Sequence, residues 1–534
     1  MDPAPAAAPA SSDAASGTTV GALGGRARQG AIWLGMGRFA GSVVATVRIP
    51  IVAQLIGPEE IGSFGVALVV LGLLDVLSQT GLSQALIQKS GIVRPYLGSV
   101  WGVQAIRGFV LAALLFFAAP LAGGFFGDEG VVPLLRLLAV VPALIGLQAL
   151  VDVQLRRQLA FGKLTLIKTS GNAVEAVVTI TAAYIEPSAW ALVIGRIAAT
   201  TFQVSISWFL SDDRTAHLSG IKLAPLRELH RFGIWIFVAA IASFSLIRGG
   251  DLVLVRMTDT ETLGIYQMAT VAAMFFTMEV ARVTNTIGFP LYSKLQNERA
   301  RLRSAFHRTY LLLATLVIGV VVVTVVQPTA LIRLIFGDQF DRAIPIVVPL
   351  AIWGACRALG AAPSGLLQAM GRPRDATYAQ LAMLLLFAIG IVPAIRAGGA
   401  AGLAWLLAGV GTVVHVARYE VVYRALGGRR RDLFLRLGVP GVAAVVAFAA
   451  GRLAVHPLAD GPAWLTMLVG ATVSGLVYVI GLAITSRVFS VDPFSPMLML
   501  VPDRVRQHRV MRLPILLLTA MAPSPAGPLD SAKA

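Results

Sequence analysis

The sequence predicts an all-α integral membrane protein of about 14 transmembrane helices. Two six-helix lobes are related by a pseudo-two-fold axis along the membrane normal, and two extra C-terminal helices follow. Composition, the spacing of apolar runs and the alternation of charge between loops carry this reading. Of 534 residues, 57% are apolar and 13% charged, and the mean hydropathy is +0.78. Folded as a water-soluble globule, such a chain would leave large apolar surfaces exposed. The spans are helices because lipid offers no partner to a free backbone group, and the apolar runs far exceed the ~10 residues of a barrel strand.

Residues 1–30, rich in Ala, Pro, Ser and Gly, precede the first apolar run. They read as a disordered cytoplasmic tail, not a cleavable signal. Windows of about 20 apolar residues place spans at 31–55, 61–86, 96–119, 131–154, 165–185 and 187–210, an N-terminal lobe over 31–210. A cytoplasmic inter-lobe loop covers 211–231. Spans at 232–256, 263–290, 309–332, 343–369, 376–395 and 400–423 form the C-terminal lobe over 232–424. The last two spans, 434–452 and 463–486, lie in the segment 425–487, and 488–534 is a basic cytoplasmic tail. Within that tail Arg504, Arg506, Arg509 and Arg512 precede a short apolar stretch, which suits an interfacial helix better than another span.

Loop charge checks the count, because Lys and Arg stay on the cytoplasmic side. With the N-terminus inside, roughly 30 basic residues fall in cytoplasmic segments and about five outside. The outer loops are short and acidic, as in Gly57-Pro58-Glu59-Glu60 and Gly127-Asp128-Glu129. Both termini are therefore expected in the cytoplasm, with the chain multi-pass in a bacterial inner membrane. The net charge of +17 is spread over these loops, so attraction to anionic lipid headgroups explains it without nucleic acid.

Catalytic and metal motifs are missing from the sequence. There is no Gly-x-x-x-x-Gly-Lys-Ser/Thr loop and no His-Glu-x-x-His helix. Gly35 and Gly37 lack the strand-helix context of a dinucleotide loop. The single Cys356 excludes a disulfide framework, and the six histidines are dispersed. No enzyme, cofactor or metal is expected.

An internal repeat supports the two lobes. Glu59-Glu60-Ile61-Gly62-Ser63-Phe64 recurs in outline as Glu261-Thr262-Leu263-Gly264-Ile265-Tyr266, six spans later at the same position in its half. An even number of spans gives both halves one orientation.

The run from Val47 through Arg48, Pro50, Gln54 and Gly57-Pro58-Glu59-Glu60-Ile61-Gly62-Ser63-Phe64-Gly65 continues to Asp75 and Ser78-Gln79-Thr80-Gly81-Leu82-Ser83-Gln84-Ala85-Leu86-Ile87-Gln88. It resembles the opening of Wzx-type polysaccharide flippases of the multidrug, oligosaccharidyl-lipid and polysaccharide exporter (MOP) superfamily. It comes nearest to the colanic-acid and teichuronic-acid exporter branch. The resemblance implies translocation of undecaprenyl-pyrophosphate-linked oligosaccharide across the inner membrane for exopolysaccharide, capsule or O-antigen export. It also implies two lobes around an alternately opening cavity, with the first, second, seventh and eighth helices bordering a lateral gate. Expected partners are the lipid-linked oligosaccharide, membrane lipids, and a polysaccharide polymerase or other assembly proteins. A lipid II flippase and a cation-coupled multidrug exporter are the transporter alternatives. A polysaccharide polymerase or ligase is the other, for which a large extracytoplasmic loop would be expected.

Intramembrane charges locate the candidate site. A charge at mid-membrane costs about 2.5 kcal/mol or more on insertion scales, so each is a functional candidate. Arg38, Arg48, Arg107, Arg196, Arg248, Arg282 and Arg357 stand against Asp75, Glu175, Asp251 and Glu279, a cationic excess that an anionic headgroup would balance. Arg48 shares a face with Gly37 and Gly41, a packing surface and not a lipid-facing one, which favours it over Arg38. Arg357 has no acid within a helical turn, whereas Arg248/Asp251 and Glu279/Arg282 are spaced i, i+3 to pair. Substrate binding is therefore assigned to Arg48, Arg357, Arg38, Arg248 and Arg282. Asp75, Glu175, Asp251 and Glu279 either couple transport to a proton or sodium gradient or neutralise neighbouring arginines. Arg136, Arg418 and Glu420 read as interfacial.

Overall fold

The computed structural model describes residues 47–78, 82–88, 93–158, 160–211, 247–427, 430–458 and 461–489, with isolated residues at 41, 241, 244, 245 and 492. The chain divides into two compact units, Met1–Phe244 and Ser245–Ala534. The described residues of both are helical, with no strand among them. The first unit holds α1 (47–55), α2 (Pro58–Leu77), α3 (Leu82–Gln88), α4 (Arg94–Phe126), α5 (Val131–Leu138), α6 (Val140–Leu147), α7 (Val151–Arg157), α8 (Phe161–Ile185) and α9 (Ala189–Phe209). The second holds α10 (247–257), α11 (Thr260–Leu295), α12 (Arg299–Val326), α13 (Pro328–Phe336), a 3₁₀ turn (Asp338–Ala343), α14 (Ile344–Ala369), α15 (Pro373–Ala425), α16 (Arg430–Val455) and α17 (Ala463–Phe489).

Among the described residues nine helices are long and apolar enough to cross a membrane, or ten when α5–α7 counts as one bent span. The 25-residue α8 has the length, but Lys163, Lys168, Asn172 and Glu175 make it too polar to count with them. The 53-residue α15 is two helices folded back on each other at Gly398 and Gly399, which leave helical geometry, Gly399 at φ 54°; a Cβ on Gly390 would stand 2.5 Å from the Leu406 side chain. A side chain is strained at that φ and glycine is not. The break falls between the two apolar windows read there.

Three windows need correction. The second, 61–86, ends early, since α2 stops at Leu77 and a separate helix, α3, begins at Leu82. The fourth, 131–154, is not one straight helix: α5–α6 and α7 are bent by 47° around Gln148–Leu150. Freed backbone groups inside a membrane must find partners, and neighbouring helices supply them. Gln104 of α4 donates to the carbonyls of Ile145 and Gln148, each at 3.0 Å. Trp208 Nε1 of α9 donates to Leu147 O at 2.7 Å, and Ala149 N donates to Ser207 Oγ at 3.2 Å. The ninth window, 309–332, ends early, since α12 stops at Val326 and Pro328 opens a separate helix. The proline drives Gln327 out of the helical region, to φ −144° and ψ 59°.

The repeat marks equivalent places. Gly57 precedes α2, with Glu59 and Glu60 in its first turn. Asp259 caps α11 by accepting from Thr262 N at 2.7 Å, with Glu261 in the first turn. Carboxylates there complement the helix dipole, and each copy also ties down a neighbour. Glu60 accepts from Ala189 N at the start of α9 at 2.7 Å, and Glu261 pairs with Arg342 at 2.8 Å.

Packing within the first unit depends on close backbone approach. A Cβ at Gly108 of α4 would lie 2.5 Å from Pro142 O and 2.7 Å from Gly146 Cα of α6. Backbone atoms cannot rotate away, so Gly108→Ala is expected to cost about 1–3 kcal/mol, read as a lower thermal unfolding temperature in nanodiscs. In the second unit Phe306 and Tyr310 of α12, Leu366 of α14 and Tyr419 of α15 form a buried core. The appended α16 and α17 pack on each other and on α12. Tyr478 donates to Thr315 O at 2.7 Å, and Arg452 to Val326 O at 3.2 Å.

Candidate functional site

In the first unit three helices bring charges together. Arg48 of α1 lies 2.5 Å from Glu175 of α8, and Arg196 of α9 lies 3.8 Å from the other oxygen of the same carboxylate. The Arg48 and Glu175 side chains are 20% and 15% exposed. In that low-dielectric setting the carboxylate holds both guanidiniums, since an uncompensated buried charge is expensive. The cluster carries two positive charges and one negative. Asp75 of α2 pairs with Arg107 of α4, which also donates to Ser78 Oγ at 2.9 Å.

In the second unit Asp251 of α10 is buried and accepts from Arg248 at 3.0 Å. Glu279 accepts from Arg282 at 2.5 Å on α11. Both are the i, i+3 pairs that the spacing anticipates. Arg357 of α14 differs. Its guanidinium carbon sits 5.9 Å from the Trp353 ring centroid, and no ion pair to it is found among the described residues. A cation over an indole face one helical turn away is held by the ring quadrupole and stays available to an anion. Arg38 lies outside the described residues.

The four carboxylates are each committed to an arginine. Two cations are left in excess among the candidate arginines that are described, one within the Arg48–Glu175–Arg196 cluster and the other Arg357. Glu175 and Arg196 lie about six helical turns from each other along the chain, so no local pattern reveals their pairing. Trp353 beneath Arg357 was legible as an i, i+4 neighbour. No group of three or more His, Cys, Asp or Glu residues that could hold a metal ion occurs among the described residues.

The chain is similar to proteins of polysaccharide assembly. It is 23% identical over 398 residues to the lipopolysaccharide biosynthesis protein WzxC of Escherichia coli (strain K12), covering 74% of this chain and 80% of that protein. With the teichuronic acid biosynthesis protein TuaB of Bacillus subtilis (strain 168) it shares 24% identity over 340 residues, 64% of this chain and 70% of TuaB. Among solved structures, the lipid II flippase MurJ in an inward closed conformation matches with a TM-score of 0.70 at 15% identity, covering 86% of this chain and 100% of that one. That likeness shows a shared two-lobe membrane fold. The family described as "Polysaccharide biosynthesis protein" matches residues 51–345, more than half of the chain, and the chain belongs to that family.

Proposed function

We propose that this multi-pass membrane protein is a flippase that carries undecaprenyl-pyrophosphate-linked oligosaccharide across the bacterial inner membrane for polysaccharide export. The observation that carries the reading is the excess of arginine over carboxylate within the spans, at the Arg48–Glu175–Arg196 cluster and at Arg357. A pyrophosphate headgroup cannot cross acyl chains unaided, and fixed cations in a wet cavity supply the counter-charge it loses with its water. Arg48 and Arg357 are the principal contacts, with Arg38, Arg248 and Arg282 in support. Pairing of Asp75, Glu175, Asp251 and Glu279 with arginines favours charge neutralisation over ion coupling for these four. The arginine excess suits an anionic substrate better than the cationic ones of a multidrug exporter. The distribution of Lys and Arg among the loops supports both termini in the cytoplasm.

Deleting the gene in its host tests this. Surface polysaccharide is expected to disappear while the lipid-linked oligosaccharide accumulates, with both restored by a plasmid copy. Unchanged surface polysaccharide, or loss without accumulation of the lipid-linked precursor, would contradict the reading.

A further inference from the structure

A second polar cluster lies in the seam between α14 and α15, apart from the pairs above. His415 of α15 is 9% exposed, and its Nε2 lies 2.9 Å from the hydroxyl of Tyr310 on α12. The two rings are nearly parallel, at 11°. The other ring nitrogen, Nδ1, is buried without a hydrogen-bond partner, and so is Nε of Arg418, one turn along α15. Arg418 Nη1 reaches across the seam to Gly360 O of α14 at 3.4 Å. A Cβ placed on Gly360 would stand 2.9 Å from Arg418 Nη1 and 3.8 Å from His415 Nδ1. Both nitrogens thus border the notch left by a missing side chain, and a larger residue there would push the guanidinium aside.

The groups around the imidazole fix its charge. They are Tyr310 of α12 and Arg418 of α15, with Cys356 of α14 and Tyr419 of α15 beside Tyr310 in turn, and no ion pair joins a carboxylate to His415 among the described residues. Beside a guanidinium, Nδ1 keeps its lone pair, so Nε2–H donates to Tyr310 Oη. A neutral imidazole and the Arg418–Gly360 bond fit together. A protonated one does not, because two cations would then border one notch without a counter-charge.

We propose that His415 is a proton-binding site whose occupancy sets the position of Arg418 and with it the α14–α15 seam. A proton from water adds to Nδ1, Nε2–H stays on Tyr310, and the new positive charge drives the guanidinium off the Gly360 carbonyl. Proton affinity then differs between a closed and an open seam, which is the condition for coupling a proton to a conformational change. Such a site serves proton-driven transport with none of the four paired carboxylates as the titrating group.

Cys356 is the chain's single cysteine and lies in the same seam, with Sγ 3.4 Å from Thr412 Oγ1 of α15. Its modification by a membrane-permeant maleimide, measured on the full chain in nanodiscs, reports seam opening with no substrate present. The result is therefore independent of the flippase reading. The labelling rate of wild type divided by that of His415→Gln cancels the intrinsic pH dependence of thiol chemistry. That ratio is expected near one at about pH 8 and at least about fivefold higher at about pH 5, the range in which imidazole titrates. Arg418→Met, which removes the pin, is expected to label fast at every pH. A wild-type to His415→Gln ratio that stays flat with pH would overturn the proposal, as would an Arg418→Met protein that keeps the wild-type pH dependence.

Discussion

Replacing Glu175 with Gln is expected to destabilise the first unit by about 1–3 kcal/mol, between the cost of breaking an exposed ion pair and that of breaking a buried one. The carboxylate is the shared counter-charge of Arg48 and Arg196. Its loss leaves two like charges without a counter-charge, Arg48 at 20% exposure only weakly screened by solvent and Arg196 at 41% more so. Adding Arg48→Gln to Glu175→Gln is expected to recover much of the loss, because it removes one of the stranded charges. Thermal unfolding of the purified proteins in nanodiscs reads both effects. A Glu175→Gln protein as stable as wild type would show that the arginines have other counter-charges.

Arg357→Glu is expected to abolish export while the protein inserts and folds normally. The cation–π contact with Trp353 contributes only about 0.5–1 kcal/mol at an exposed site, so stability changes little. Function changes a great deal, since a carboxylate now repels the pyrophosphate that the cation attracts. A loss of at least about a hundredfold in export rate corresponds to about 2.7 kcal/mol. Arg357→Lys keeps the charge without the planar fork and is expected to retain intermediate activity. Surface polysaccharide in a complemented deletion strain, normalised to membrane-inserted protein, gives the comparison. Full export by Arg357→Glu would remove this residue from the substrate path.

The two predictions separate what is local in the sequence from what is not. The pairs Arg248–Asp251 and Glu279–Arg282, and Arg357 over Trp353, all fall at i, i+3 or i, i+4 and follow from helix geometry alone. Arg48, Glu175 and Arg196 sit on three separate helices, and only tertiary packing brings them together. The same distinction explains the misread spans. The end of α12 was legible at Gln327-Pro328 by the rule for residues before proline. The break at Gln148–Leu150 was not, because the window is apolar throughout. What makes the break tolerable is Gln104, Ser207 and Trp208 on other helices. His415 reads from sequence only as a dispersed histidine and Arg418 as interfacial, for a related reason. A dispersed histidine and an arginine near a span end carry no pattern until Tyr310 and Gly360 are placed beside them.

The most direct measurement of the central claim is translocation by the purified chain in proteoliposomes, with a fluorescent undecaprenyl-pyrophosphate oligosaccharide on one leaflet and a membrane-impermeant quencher outside. Wild type is expected to move the probe across the bilayer well above the protein-free rate, and Arg357→Glu to fall back to that rate. A wild-type protein no faster than empty liposomes, or an Arg357→Glu protein as fast as wild type, would contradict a flippase built on fixed intramembrane cations.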